Sequence, residues 1–257
     1  MTANDIPQLG APIVLVHGLC GYDRVTAFGR PLKDYFPGIR PQLEASGNRV
    51  LMPRLSCTRG VAARAGELKR YLLANVPNGP VHLIGHSMGG LDARYMISQL
   101  GMADRVRTLT TVGTPHRGSP FADWGMKRFA GLLAPFFQFL GLSTQAFFDL
   151  TSAACAHFNA AVRDVPGVRY FSVAGVCDGP LLGSGWRVPH EIVRRAEGAN
   201  DGVVSVASAT WGEHTDVWDG DHLNLVNWPN REARKRGVWD SLAPDYGRII
   251  RRIVAFE

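Results

Sequence analysis

The sequence predicts an α/β domain with a mostly parallel central sheet and helices on both faces, and three observations carry that expectation. The first is size: 257 residues, 46% hydrophobic and 19% charged, suffice for one well-packed core and a single domain over 1–257. The second is alternation, in which short apolar runs recur between segments of helical spacing. The third is continuity, because no internal repeat or low-complexity linker divides the chain, and its Pro and Gly residues punctuate loops instead of forming a hinge.

Taken in order, PIVLVHG (12–18) reads as a buried strand ending in a loop, and RVLMPRL (49–55) as a second strand. VAARAGELKRYLLANV has the spacing of an amphipathic helix. VHLIGHS (81–87) is a strand that turns sharply into the helix of GGLDARYMISQL. VRTLTTVGTP (106–115) and VRYFSVAGV (168–176) complete the strands read from the sequence. Between them, 119–160 begins SPFADWGMKRFAGLLAPFFQFLGLSTQAFFDLT, an irregular stretch crowded with phenylalanine. Core helices are one reading of it, and a cap over an apolar site is the reading that so many aromatics favour. In such a sheet, reactive groups belong on loops at the carboxyl ends of strands.

The net charge of +6 comes from scattered arginines. Short basic pairs such as Arg194-Arg195 and Arg251-Arg252 fall in helical segments without a nucleic-acid motif. A solvated surface with weak attraction to anionic interfaces is therefore expected, and no nucleic-acid partner. Cys20, Cys57, Cys155 and Cys177 lack metal-type spacing. No apolar run reaches membrane-spanning length, since the longest, near 129–148, is broken by Gly131, Pro135, Gln138, Gly141 and Gln145. MTANDIPQLGAP has neither a basic n-region nor an apolar h-region. The expectation is a cytoplasmic protein if the sequence is full length, or a secreted one if a leader was removed.

The reactive chemistry centres on VHLIGHSMGG, where Gly85 and Gly89 bracket Ser87. A serine held on a strained strand-to-helix turn needs small residues two positions before and after it, so that the turn can close. A hydroxyl becomes a nucleophile only with a base, and the base needs a carboxylate to fix its tautomer. On this architecture the order is serine, acid, histidine. His82 and His86 flank the turn and read as structural; His116 and His157 come too early, and His190 precedes the expected acid, Asp201. His222, in WDGDHLNLVNW, is the expected base, with His214 in WGEHTDVW as fallback and more simply a solvated loop residue. Asp201 in GANDGVVS and Asp178 in VAGVCDGP both suit the acid, and chain position does not separate them. The oxyanion donors are expected to be the amides of Met88, after the nucleophile, and of Leu19, in the loop after the first strand. The chemistry calls for no cofactor and no catalytic metal.

Four stretches together, PIVLVHGLCGYD, VHLIGHSMGGLDARY, LTTVGTPHRGSPFAD and the pair NDGVVS with DHLNLVN, make the chain similar to the triacylglycerol lipases of Pseudomonas and Burkholderia type. The resemblance implies an α/β-hydrolase fold, a helical lid within 119–160, and a triad of Ser87, Asp201 and His222 with Leu19 and Met88 as oxyanion donors. It also selects Asp201 over Asp178, since that family's acid sits in the NDG stretch. One departure stands out: where the family places a calcium-ligating aspartate two residues after the histidine, this chain has Asn224. Losing that carboxylate predicts no tightly held calcium. The expected activity is hydrolysis of carboxylic esters with apolar acyl chains, the substrate being an ester or lipid met in transient contact with its interface. An acyltransferase using the same acyl-enzyme and a non-catalytic hydrophobe-binding module are the alternatives. Haloalkane dehalogenase chemistry is disfavoured, because it needs a carboxylate where Ser87 stands.

Overall fold

The computed structural model describes residues 6–19, 24–27, 30–128, 144–177, 186–230, 234–235, 237 and 244–257. Its centre is a six-stranded parallel sheet in the order β4-β1-β5-β6-β7-β8. The strands are β1 (Ile13–Val16), β4 (Val50–Leu51), β5 (Val81–His86), β6 (Val106–Val112), β7 (Arg169–Val176) and β8 (His214–Asp219). Two further strands, β2 (Arg24–Ala27) and β3 (Arg30–Asp34), pair as a separate antiparallel ribbon. All residues of β1 and β5 are buried, the signature of strands covered on both faces.

Strand alternation divides the core into two layers. Ile13, Leu15, Ile84, Phe171, Val173 and Trp218 face one side, where Ile39 and Leu43 of α1 (Ile39–Ala45) and Ile249, Ile250 and Ile253 of the last α-helix (Tyr246–Ile253) cover them. Val14, Val16, Val81, Leu83 and Leu109 face the other, against α2 (Val61–Asn75) and α3 (Met88–Gln99). The buried Val61, Ala65, Leu68 and Leu72 of α2 recur at three- and four-residue steps; the last three lie on the sheet, and Val61 packs beside it against Met88 and Leu91.

The chain runs from β1 outward to β4, then returns across β1 to β5 on its other side. The winding direction therefore reverses between β1 and β5, and the loops that leave their carboxyl ends diverge there. Such a switch point opens a crevice for ligands. Val16 pairs with Gly85, and His86 with Val112, so the ends of β1, β5 and β6 lie nearly level.

Three elements differ from the sequence reading. The run 49–55 contributes only Val50–Leu51, because Pro53 cannot donate to a ladder. His214 opens edge strand β8 instead of sitting in a loop, and its exposed imidazole lies 3.2 Å from Asp216. The burial of HTDVWD alternates between sides in a polar edge strand, a pattern easily read as loop. Within 119–160 the described parts are helical at 120–128 (α4), Gln145–Asp149 (α5) and Ser152–Ala161 (α6). Residues 129–143 of the expected cap lie outside the described residues, as do Cys20 and Asp178.

Candidate active site

The turn after β5 is built by close backbone approach. Ser87 has φ 53° and ψ −128°, a left-handed conformation that a side chain rarely adopts. A Cβ on Gly89 would lie 2.5 Å from the Val16 carbonyl oxygen, and one on Gly85 would lie 2.8 Å from the backbone of Gly89 and Gly90. Only hydrogen fits at either place, which is why the sequence brackets the serine with glycine. The strained residue is held from both sides: its N–H donates to Val112 O at 2.8 Å, and Thr114 Oγ1 donates to its carbonyl at 2.8 Å. Met88 opens α3, so its amide belongs to the first turn, which has no intrahelical acceptor.

Asp201 and His222 meet. The imidazole Nδ1 lies 2.7 Å from Asp201 Oδ2, with Asp201 fully buried and His222 nearly so. Asp201 sits in the Asn-Asp-Gly turn, where its Oδ1 accepts from Val203 N at 3.0 Å and Val204 N at 2.8 Å. The local sequence thus fixes the carboxylate before it reaches the imidazole. The main chain adds a second tie, His222 N donating to Asp201 O at 2.7 Å. An acceptor on Nδ1 places the neutral ring's proton there and leaves Nε2 as the base.

Ser87 and His222 share one neighbourhood. The ring of His86, which immediately precedes Ser87, lies 4.6 Å from that of His222, and Trp186 meets the His222 ring edge-on at 6.4 Å. Gly18 comes so near Ser87 that a Cβ on the glycine would be 2.8 Å from the serine Cβ. A Cβ on Gly113 would be 3.2 Å from Asp201 Oδ2 and 3.3 Å from His222 Cε1. Leu19, partly buried, packs in an apolar cluster with Met88, Leu91, Ala146 and Cys155. The two expected donor residues therefore flank the serine from β1 and from α3.

The loop after β1 is clamped. His17 Nε2 accepts from Leu55 N at 3.0 Å, so the ring proton is on Nδ1 and donates to Gly18 O at 2.9 Å. Arg64 Nη2 donates to His17 O at 2.7 Å, and its Nε to Asp92 Oδ2 at 2.8 Å, all of this buried. Burial pushes Asp92 up to about 7 despite the guanidinium. Sequence reasoning passed over Arg64, Asp92 and Tyr35 because nothing local marks them; their partners are far along the chain.

The segment after His222 does not suit calcium. Asn224 Nδ2 donates to Trp228 O at 2.8 Å, while its Oδ1 accepts from Asp221 N at 2.9 Å and from Asn230 Nδ2 at 3.3 Å. An amide N–H aimed at the Trp228 carbonyl presents positive charge where a cation would need oxygen, and a hard dication wants several anionic oxygens. Among the described residues no group of three or more His, Cys, Asp or Glu side chains is arranged to hold a metal ion. His116 is a core residue: buried, it is bonded to Arg94 Nη1 and Thr111 Oγ1 and stacked on Trp211 at 5.1 Å.

The sequence profile of the PGAP1-like alpha/beta domain family matches residues 68–221, which include the serine turn, the Asp201 turn and four of the six central strands. Triacylglycerol lipase 2 of Saccharomyces cerevisiae is 33% identical over 213 residues, covering 77% of this chain. The chain spans only 64% of that relative's length. A triacylglycerol lipase of Pseudomonas fragi is 29% identical over 273 residues, covering 88% of this chain and 90% of its own. In three dimensions, the lipase of Staphylococcus hyicus superposes with a TM-score of 0.76 over 97% of each chain at 17% identity. The chain belongs to the PGAP1-like alpha/beta domain family, and its fold is the α/β-hydrolase fold of the lipases it resembles.

Proposed function

We propose that the chain is a serine hydrolase of carboxylic esters with apolar acyl chains, a lipase or esterase. The observation that carries this is the buried His222 to Asp201 hydrogen bond, formed beside a serine held at positive φ. In this reading Ser87 Oγ attacks the ester carbonyl as His222 Nε2 takes its proton, and Asp201 stabilises the imidazolium. The amides of Leu19 and Met88 receive the oxyanion, a donor being worth about 2.7–4 kcal/mol of barrier. His222 then gives its proton to the leaving alcohol, and water, deprotonated by the same ring, releases the acyl group from Ser87. The relatives named as triacylglycerol lipases support an ester or lipid substrate.

The insertion 119–160 supplies the cap of the acyl site in this reading. Its flanks are anchored: Asp123 Oδ1 and Oδ2 accept from Ser152 N and Oγ, and Asp149 Oδ2 accepts from Val61 N. The aromatics Trp124, Phe147 and Phe148 on those flanks are exposed, which suits transient contact with a lipid interface. Among the described residues no helix is long and apolar enough to cross a membrane.

Replacing Ser87 by Ala is expected to abolish hydrolysis of p-nitrophenyl esters and labelling by a fluorophosphonate while the circular dichroism spectrum is kept. Retained turnover would overturn the assignment. An ester panel from acetate to long-chain triglycerides separates esterase from lipase, and a competing alcohol that captures the acyl group in place of water would mark a transferase.

A further inference from the structure

We infer that Tyr35 and His86 are positioning residues that join the oxyanion loop to the catalytic base through one buried chain of hydrogen bonds. This rests on the serine-hydrolase reading of the same site. The chain begins at Gly18 N, which donates to Tyr35 Oη at 3.1 Å. It continues from Tyr35 Oη to His86 Nδ1 at 2.8 Å, and from His86 Nε2 to His222 O at 3.0 Å. Gly18, Tyr35 and His86 are all buried, so water does not substitute for any link.

The protons along this chain are determined by its two ends. The His222 carbonyl only accepts, so His86 Nε2 carries a hydrogen. Burial, reinforced by the neighbouring His222, holds His86 well below the ordinary imidazole range, so the ring is neutral and its Nδ1 is an acceptor. Tyr35 must then donate to Nδ1, and its oxygen accepts the Gly18 amide. Each link then has one direction, and reversing any of them breaks another.

The consequence is geometric. His222 is pinned through its own N–H to Asp201 O and through its carbonyl to His86, the residue adjoining Ser87. Tyr35 extends that pin to the Gly18 turn immediately before Leu19. Base, nucleophile and donor loop thus share one frame, which transition-state stabilisation by fixed dipoles requires. A neutral imidazole suits position 86 because it donates on one side and accepts on the other. Leu supplies neither function, and Gln can retain the donor to His222 O.

The test uses Tyr35→Phe, His86→Leu and His86→Gln with a soluble p-nitrophenyl butyrate substrate. Tyr35→Phe is expected to lower kcat about tenfold with KM held within about twofold, because the loss falls on the transition state. His86→Leu is expected to lose about a hundredfold or more, with His86→Gln recovering part of it. Fluorophosphonate labelling of Ser87 should slow by the same factors as kcat. Tyr35→Phe activity within twofold of wild type, or losses confined to KM, would overturn the inference. If the wild type neither hydrolyses esters nor labels, the serine-hydrolase reading fails. Imidazole ¹⁵N shifts then still decide the pair: the wild type should show His86 as the Nε2–H tautomer, with both His86 and His222 shifted in Tyr35→Phe. Unshifted rings would refute the coupling.

Discussion

Asp201 illustrates how far single residues could be read from the chain. Its Asn-Asp-Gly turn was visible, and so was a competing Asp-Gly at Asp178; only the resemblance to lipases separated them. The structure brings Asp201 to 2.7 Å from His222 Nδ1, after two backbone amides have already fixed its other oxygen. Ser87 was legible because glycine spacing around a strained turn is a steric requirement that any sequence must meet. Tyr35 was not, because a hydroxyl that matters through its partners at positions 18 and 86 leaves no periodic trace. Asp201→Asn tests the acid directly. An amide that turns its N–H toward Nδ1 favours the wrong tautomer and cannot stabilise the imidazolium, so kcat is expected to fall by about 10⁴ with the fold intact. Asp178→Ala in the same assay should leave kcat nearly unchanged, and the reverse ranking would reassign the acid.

At the level of elements, the buried strands were read well and the edges badly, for one physical reason. β1 and β5 are covered on both faces, so their sequences are continuous apolar runs; β8 is an edge strand whose polar positions look like loop. Asp216 of β8 is inward-facing and paired with Arg248 and Arg252 of the last α-helix, each at 2.9 Å, a bond between elements that no local pattern announces. The loop after His222 behaves similarly, since its rigidity comes from Asn224 bridging to Trp228, Asp221 and Asn230. Asn224→Asp removes the donor to Trp228 O and sets a carboxylate beside Asp221, whose own pKa burial already raises. A loss of about 1–3 kcal/mol is expected from the unsatisfied acceptor and the new charge. The drop in Tm should be larger at pH 8 than at pH 5, where protonation of one carboxyl relieves the repulsion. Wild-type Tm should be indifferent to a chelator, and a clear fall on adding one would show that a metal does hold this loop.

Across the whole molecule, the parallel order and the two-layer core were legible because alternating strands and helices admit few arrangements. What ties the layers beneath the site was not legible. Arg64 of α2 reaches Asp92 of α3, the His17 carbonyl after β1 and the Ser56 carbonyl after β4, so one buried guanidinium joins three parts of the chain. The pair is incompletely satisfied: Asp92 Oδ1 has no hydrogen-bond partner among the described residues. Desolvation therefore outweighs the attraction of Arg64 and raises Asp92 to about 7. The sign of the linkage follows. A carboxyl whose folded pKa lies above its unfolded value binds more protons in the native state, so it favours folding at low pH and loses that contribution as pH rises from about 4 through about 7. Paired carboxylates at the surface act oppositely, as with Glu213, which the hydrogen bond from Arg169 holds below its usual range. Their exposure keeps that opposing effect small. Buried His86 and His116, held well below the imidazole range by burial, act against Asp92 as pH rises toward 6.5, so the Asp92 effect is read against Asp92→Asn: in urea unfolding between pH 5 and pH 8 the wild type should lose stability relative to that variant as Asp92 ionises. Asp92→Asn keeps an acceptor for Arg64 but removes this titration, so it should gain on the wild type steadily toward pH 8. A variant with the same pH slope as the wild type would show that Asp92 is ionised throughout, with Arg64 and not burial controlling its charge.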